Sequence, residues 1–353
     1  MCLKTLKSIK GQWESMTNRS NGKTLIIAEA GVNHNGSLDL AKQLATVAKD
    51  AGADVVKFQA FKSEALVSKQ ADKADYQKAT TDSDESQYEM LKKLELSYED
   101  FAELKRYCDS IGIEFSATAF DQESTRFLVE DIGISFIKVP SGELNDYPYL
   151  VQSASYGLPI IASCGMATLS EIEAALNVLK EHGAKSITLL HCNTQYPTPY
   201  EDVNLLVLDE LHHRLGIDVG YSDHTPGIEV PIAAVALGAC VIEKHFTLDK
   251  TMQGPDHLAS LDPYELQEMV SSIRHIEQAR GSSEKQVTVS EEANRKVARR
   301  SIVAKRDISA GELFSEENLT TKRPGDGLDP MLWPTIVGTK AVRSFKADEK
   351  ISL

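Results

Sequence analysis

Two histidines, His224 and His245, each follow a short apolar run, at residues 217–221 and 239–242, and residues 227–237 between them have helical periodicity. In a parallel α/β fold such a strand–helix–strand unit brings the carboxyl ends of neighbouring strands side by side. Both imidazoles can then face one ligand. Neutral imidazole is the commonest metal ligand near neutral pH, and two of them leave coordination positions open, as a catalytic metal requires. The competing reading is two solvated or core histidines that never meet, since a pair alone is diagnostic of no metal.

Other apolar runs also end in reactive side chains. In chain order these are Glu29; Lys57 and Gln59; Thr118; Lys138, Ser141 and Glu143; Ser163; His191, Asn193, Thr194 and Tyr196; Ser222 and Asp223 before His224; and Glu243 and Lys244 before His245, with Asp256 beyond. Lys57, Lys138, Ser141, Ser163 and Ser222, with the backbone amides of Gly142 and Gly165, have the makings of an anion cradle, because lysine charge, hydroxyls and free N–H groups hold phosphate and carboxylate. Taken singly, each is equally readable as a cap or a solvated charge. Glu29, Glu143 and Asp256 add carboxyls able to bind hydroxyls or move protons, with ion pairing to the same lysines as the alternative. Asn33-His34-Asn35-Gly36 reads either as part of this site or as a tight turn. Cys164 and Cys192 lack the partner pattern of a nucleophile and read as small structural residues.

Positioning these residues takes a repeating scaffold. Strand-like runs at 25–28, 54–58, 114–119, 136–139, 159–163, 186–191, 218–221 and 240–243 alternate with helix-like segments at 38–51, 98–111, 124–132, 169–182, 205–215, 227–237 and 263–280. Ser37 suits the N-cap of the first helix, whose Leu40, Leu44, Val47 and Ala48 share one face, and Gly52 ends it. Repeated βα units without a glycine-rich dinucleotide fingerprint predict an α/β protein with a closed (β/α)8 TIM barrel over 23–280 rather than an open doubly wound sheet. The insertion at 62–96 is expected to fold over the barrel mouth, since loops of that length tend to be functional. Residues 281–292 read as a linker. Residues 293–353 read as a small β-rich domain, marginal alone, with β-like runs at 301–304 and 336–341 and helix-like pieces at 315–319 and 331–335.

Composition sets outer bounds. The 353 residues, 42% hydrophobic and 25% charged, suit an ordinary soluble chain. A net charge of −14 argues against a nucleic-acid partner, so an anionic ligand must rely on locally placed cations. The five cysteines are scattered and odd in number, which points to reduced thiols and a cytoplasmic location. No apolar run reaches membrane-span length, so no membrane partner is expected. Residues 1–22 lack the apolar stretch of a signal peptide and read as a polar N-terminal extension.

The motifs IIAEAGVNHNGS (26–37), VKFQAFK (56–62), KVPSGE (138–143), SCGMAT (163–168), HCNTQYPTP (191–199), GYSDHTPG (220–227), EKHFTLDK (243–250), GPDH (254–257) and KRPGDG (322–327) resemble, in type and order, the bacterial sialic acid (nonulosonate) synthases. That family includes N-acetylneuraminate and legionaminate synthases, and the resemblance runs from about residue 24 to the C-terminus. It implies a TIM barrel followed by an antifreeze-like (SAF) domain. It implies condensation of phosphoenolpyruvate with the open-chain aldehyde of an N-acetylated mannosamine-type sugar, releasing phosphate and forming a nine-carbon 2-keto-3-deoxy sugar acid. It further implies a divalent metal, Mn2+ before Mg2+ or Co2+, at His224 and His245. Phosphoenolpyruvate would be held by Lys57, Thr118, Lys138, Ser141, Ser163 and Ser222. The sugar would be held by Gln59, Glu143, Tyr196 and Asp256, and Glu29 would handle protons beside the reacting carbons. Arg323 matches an arginine that the small domain of one subunit sends into the other subunit's barrel to meet the N-acetyl group, which implies a domain-swapped homodimer. Without the resemblance it reads as an exposed loop arginine.

Some members carry His-Cys-Thr-Asn where this chain has His191-Cys192-Asn193-Thr194, so the phosphoenolpyruvate contact falls to either Asn193 or Thr194. Phe58 and Phe61 stand where some members have histidines. These departures bear on the sugar and leave two products open: the resemblance implies N-acetylmannosamine, giving N-acetylneuraminate, with a 2,4-diacetamido-trideoxymannose, giving N,N'-diacetyllegionaminate, as the alternative. Two readings outside this chemistry are a sugar-binding protein on a retired barrel and an aldolase using free pyruvate, with Lys57 or Lys138 as Schiff-base lysine.

Overall fold

The structure is a computed structural model that describes residues 23–74, 77, 78, 81 and 85–353; the expected N-terminal extension at 1–22 lies outside the described residues. The chain divides into two compact units, broken between Gly281 and Ser282. In the first, β1 (Leu25–Gly31), β2 (Val55–Ala60), β3 (Glu114–Ala119), β4 (Ile137–Val139), β5 (Ile160–Ser163), β6 (Ile187–Cys192), β7 (Asp218–Asp223) and β8 (Val241–His245) form a closed barrel in sequence order. All its neighbours are parallel, and β1 pairs with both β2 and β8.

Several strands extend beyond their apolar runs, β1 to Gly31, β7 to Asp223 and β8 to His245. The reason is alternation. Successive strand side chains point to opposite faces. Ile27, Val55, Phe136, Ile161, Leu190 and Val241 pack together in one buried cluster. Two residues later on the same strands stand Glu29, Lys57, Lys138, Ser163, Cys192 and Glu243. The inner face thus changes from hydrocarbon to polar while the backbone ladder continues. The outward residues Ile26, Ala28, Val56, Phe58, Phe115 and Ala117 join the apolar faces of the surrounding helices in the main core.

Capping chemistry sets where many of those helices start. Ser37 accepts from Leu40 N ahead of the helix Leu38–Asp50. Ser97 with Asp100, Thr168 with Glu171, and Asp262 with Glu265 form reciprocal capping boxes before Tyr98–Ile111, Leu169–Glu181 and Pro263–Arg280. The helix Tyr147–Ser155 between β4 and β5 is missing from the sequence reading, although Asp146 as cap and Pro148 in its first turn were its signal. In the insertion, helices Ser63–Leu66 and Gln87–Leu94 are present, and Met90 and Leu94 pack on Val32 and Phe61 beside the barrel mouth. Residues 75, 76, 79, 80 and 82–84 of that insertion lie outside the described residues.

The second unit corrects three details. The helix Val289–Ala298 starts inside the stretch expected as linker, because Thr288 and Glu291 close a capping box. Residues 336–341 form no strand; the partner of β9 (Ser301–Ala304) is β10 (Leu319–Lys322), antiparallel to it. Residues 315–319 form no helix, Leu319 being the first residue of β10. Ile336 and Ala341 are instead single buried points of a core that includes Phe314 and Phe345. Among the described residues no helix is long and apolar enough to cross a membrane.

Candidate active site

Register assembles the inner polar layer. Glu29 lies opposite Lys57, Thr118 opposite Lys138, and Ser222 opposite Glu243. Lys57 Nζ is 2.6 Å from Glu29 Oε2, 2.7 Å from Thr118 Oγ1 and 3.6 Å from Glu243 Oε2. Lys138 Nζ is 2.5 Å from Ser163 Oγ and 3.6 Å from Glu243 Oε1, to which Ser222 donates at 3.0 Å. Glu243 therefore joins both lysines, a role the sequence reading did not assign to it. Its position two residues after inward Val241 was the available signal.

Glu29, Lys57, Lys138 and Glu243 are all buried. Burial raises the Glu29 carboxyl to about 7, against the pull of Lys57 and with the help of the Glu243 carboxylate. Burial also opposes ionisation of Glu243, but Lys138 and Lys57 outweigh it and hold that carboxyl down at about 2. Lys57 is desolvated too, yet Glu243 and Glu29 keep it above the usual lysine value, whereas burial lowers Lys138. Two carboxyls in one pocket are pushed apart, which separates a fixed charge from an exchangeable proton.

Above this layer the two imidazoles meet. The rings of His224 and His245 are 5.5 Å apart between centroids, and Tyr196 lies against both, at 4.0 and 5.7 Å. His224 Nδ1 contacts the Asn193 carbonyl at 2.5 Å. A carbonyl only accepts, so Nδ1 carries the proton and Nε2 keeps its lone pair. His245 Nδ1 is buried without a hydrogen-bond partner and sits 4.0 Å from Asp256 Oδ2. Burial lowers His224 to about 4, and burial, with the neighbouring His224, takes His245 well below its ordinary value. Both rings are thus neutral donors with ligating capacity left over, which fits a divalent cation. Among the described residues no group of three or more His, Cys, Asp and Glu side chains is arranged to hold a metal, so such an ion would take two protein ligands and leave the rest open.

The remaining expected residues divide. Gln59, Glu143, Tyr196, His245 and Asp256 line one cavity of about 290 Å3 together with residues of the insertion. Burial raises Asp256 to about 6 and, with Asp146 nearby, raises Glu143. Ser141 Oγ contacts Cys192 Sγ at 3.2 Å and accepts from the Gly165 amide at 2.9 Å, so that amide is not free for an anion as expected. A Cβ on Gly165 would lie 2.8 Å from Thr194 Cγ2 and 2.9 Å from Ser141 Oγ, so a side chain there must displace one of them. Thr194 therefore borders the Ser141 end of the pocket. The side-chain amide of Asn193 is instead tied to the Asp202 carbonyl at 2.9 Å. The ion-pairing alternative holds for Glu29, through Lys57, but no ion pair joins Glu143 or Asp256 to a lysine among the described residues. The Asn33–Gly36 segment is a turn, pinned by Asn33 Nδ2 donating to the Phe246 carbonyl and Ser260 Oγ. Arg323, in the second unit, is exposed.

Comparison with known proteins gives matches along the chain. Residues 44–285 match the NeuB family and residues 299–353 the SAF domain. The chain is 53% identical over 331 residues to an N,N'-diacetyllegionaminic acid synthase from Campylobacter jejuni, covering 93% of this chain and 99% of that protein. It is 47% identical to the protein of the same name from Legionella pneumophila, covering 97% of this chain and 95% of that one. Among solved structures, the N-acetylneuraminic acid synthetase of Leptospira borgpetersenii, in complex with citrate, is 35% identical with a TM-score of 0.68, covering 78% of this chain and 90% of that one.

Proposed function

The chain belongs to the NeuB family, and within it we propose that this protein condenses phosphoenolpyruvate with a 2,4-diacetamido-2,4,6-trideoxymannose to form N,N'-diacetyllegionaminate and phosphate. The observation that carries the chemistry is the buried layer of Lys57, Lys138, Glu29 and Glu243 directly below two neutral imidazoles. The two legionaminic acid synthases it resembles favour the diacetamido sugar over N-acetylmannosamine, the sugar first expected from the motifs.

In this reading Lys57 and Lys138, with Thr118, Ser141, Ser163, Thr194 and Ser222, hold the carboxylate and phosphate of phosphoenolpyruvate. Gln59, Glu143, Tyr196 and Asp256 hold the sugar. A divalent ion held by His224 and His245, Mn2+ ahead of Mg2+ or Co2+, would supply Lewis-acid polarisation of the aldehyde. C3 of phosphoenolpyruvate forms the new bond to the aldehyde carbon, whose oxygen takes the proton of Glu29. Water adds at C2, returning one proton to Glu29, and the C2–O bond to phosphate breaks, the second proton leaving with phosphate. Bringing an anion beside Glu29 raises its proton affinity further, which keeps it an acid until the carbon–carbon bond has formed. Asn193 acts by orienting His224 through its carbonyl. Arg323, which takes no hydrogen-bond or ion-pair partner among the described residues, would bind the sugar's acetamido group from the small domain of a second copy in a domain-swapped homodimer. The free cysteines suit a cytoplasmic setting.

The test is phosphate release and 2-keto acid formation by the purified chain with phosphoenolpyruvate, Mn2+ and either sugar. Activity with the diacetamido sugar exceeding that with N-acetylmannosamine is expected. Silence with every mannosamine-type sugar removes the enzyme reading, and turnover of free pyruvate in place of phosphoenolpyruvate replaces it with an aldolase.

A further inference from the structure

The turn Asn33–Gly36 has no part in the condensation as drawn, yet two of its side chains reach the loop that follows β8. Asn33 Nδ2 donates to the Phe246 carbonyl at 2.8 Å and to Ser260 Oγ at 2.9 Å, and Ser260 Oγ donates to the Asp256 carbonyl at 2.6 Å. Asn35 Nδ2 donates to the Gln253 carbonyl at 2.9 Å, which leaves its Oδ1 facing His257 Nε2 at 3.2 Å. An amide oxygen only accepts, so Nε2 of His257 carries the proton and Nδ1 is the acceptor. Nδ1 lies 2.6 Å from Thr247 Oγ1, whose single hydrogen therefore goes to the ring, while Oγ1 accepts from the Asp249 amide at 3.3 Å. Thr247 and His257 are buried, and burial takes the imidazole below its ordinary value against the pull of Asp249, in keeping with a neutral ring. The backbone of Gly254 lies directly on this relay: a Cβ there would stand 2.7 Å from His257 Cδ2 and 3.0 Å from Asn35 Oδ1.

Between the two arms stands Asp256, buried, with Oδ2 4.0 Å from His245 Nδ1 and its side chain on the cavity shared with Gln59, Glu143 and Tyr196. Its carboxyl takes no hydrogen bond among the described residues, so no side-chain contact fixes its oxygens and the backbone alone sets where they stand. We infer that Asn35 and His257 are positioning residues for Asp256: the relay from the Gln253 carbonyl through Asn35 and His257 to Thr247 ties the loop after β8 to the turn after β1 and holds the Asp256 carboxyl at the sugar. The inference rests on the proposed role of Asp256 and adds to it the residues that place it. A buried carboxyl without partners is unfavourable until a ligand satisfies it, and a loose loop would let it turn to water. The relay removes that escape before the sugar arrives, so the ordering is not charged against binding.

Asn35→Gly is the cleanest probe, because Asn35 has a φ of 49° that glycine adopts freely, so only the side chain is lost. In the full-length protein with phosphoenolpyruvate, Mn2+ and the diacetamido sugar, KM for the sugar is expected to rise roughly tenfold or more, with KM for phosphoenolpyruvate unchanged. Repeating the substitution in an Asp256→Asn background completes a double-mutant cycle. There the effect of Asn35→Gly on kcat/KM for the sugar should shrink to about twofold or less. Thr247→Val, which removes the hydroxyl at the other end of the relay, replaces Asn35→Gly if that variant fails to fold. An equal loss in both backgrounds, or an equal rise in KM for phosphoenolpyruvate, overturns the inference while leaving the condensation intact. A readout without turnover is the imidazole 15N spectrum, assigned by loss of a signal in His257→Gln. The parent should show His257 protonated at Nε2 only, and that signal should shift in Asn35→Gly. The opposite tautomer, or an unmoved signal, overturns the relay whatever the kinetics. No phosphate release by the parent with any mannosamine-type sugar overturns the condensation reading itself.

Discussion

Two sets of charges are buried on opposite faces of the barrel wall, and β8 carries a member of each. On the inner face, Lys57 and Lys138 share Glu243, and Lys57 also pairs with Glu29. On the outer face, Lys244 pairs with Asp223 at 2.5 Å, both side chains wholly buried. The outer pair is saturated. Asp223 accepts from the backbone and hydroxyl of Thr225 as well as from Lys244, and Lys244 also donates to the Thr225 carbonyl. The inner set is looser: Lys57 Nζ lies 2.6 Å from Glu29 Oε2, but it reaches Glu243 Oε2 only at 3.6 Å. Burial alone therefore does not mark chemistry. Unspent bonding capacity beside a cavity does, and the saturated pair has a structural task. Asp223 and Lys244 are opposite one another in register and adjacent in sequence to His224 and His245, so their pair fixes the strand ends that carry the two imidazoles.

The largest effect should come from the inner set. Glu29→Gln keeps the shape and removes the exchangeable proton, so kcat is expected to fall about 10²–10⁴-fold, the usual worth of a general acid–base group. The variant should stay folded. Because the folded-state carboxyl is raised from 4.5 to about 7, the folded protein holds more protons than the unfolded chain between those values, and this group's contribution to stability declines as pH rises through that window. Denaturant melts across this range should show the decline in the parent and a flatter profile in Glu29→Gln. An unchanged kcat would strip Glu29 of its role. His224→Ala is expected to abolish Mn2+-dependent turnover to a similar degree, and retained turnover would show that it is no ligand.

Next comes the outer pair, which should respond in stability. Lys244→Met strands a buried carboxylate and is expected to cost about 3–5 kcal/mol in chemical denaturation. The double variant Asp223→Leu/Lys244→Met replaces the pair by hydrocarbon and should recover to within about 1 kcal/mol of the parent. If the double variant is as unstable as the single, the contrast between the two faces fails. Smaller again is Gly165→Ala. Its Cβ would displace Ser141 or Thr194, and a misplacement of that order near the reacting atoms lowers kcat/KM by up to about 10²-fold. Unaltered kinetics for phosphoenolpyruvate would remove Ser141 from the anion pocket.

The contrast also explains what was legible in the sequence. The barrel was legible because apolar runs such as Leu25–Ala28 in β1 and Val241–Ile242 in β8 recur between helical segments, and the polar residues after them flagged the site. The ends of β1, β7 and β8 were not, because Glu29, Asp223 and His245 look like loop residues until barrel closure supplies their partners. Glu243 stood among the strand-end residues, but its link to two lysines from other strands is a property of closure, not of spacing. The cluster of Val32, Phe61, Met90 and Leu94 was hidden for a similar reason: Phe61 and Met90 lie far apart in sequence and meet only when the insertion helix docks. Conversely, the cradle amide of Gly165 looked free because nothing in its local sequence shows that Ser141 reaches it.

Arg323 is the extreme of unspent capacity, a charge exposed and unpartnered within its own unit. If it completes the sugar site of a second copy, Arg323→Ala should lower kcat/KM by roughly ten- to hundredfold, the worth of one hydrogen bond to a charged group, with no loss of stability. Mixing gives the decisive version. The Arg323→Ala chain keeps an intact barrel, and the His224→Ala chain keeps an intact arginine. Co-refolded, they should form mixed dimers in which one site has both, and activity should exceed the sum of the separate preparations. Activity equal to that sum would mean the arginine serves its own barrel or none.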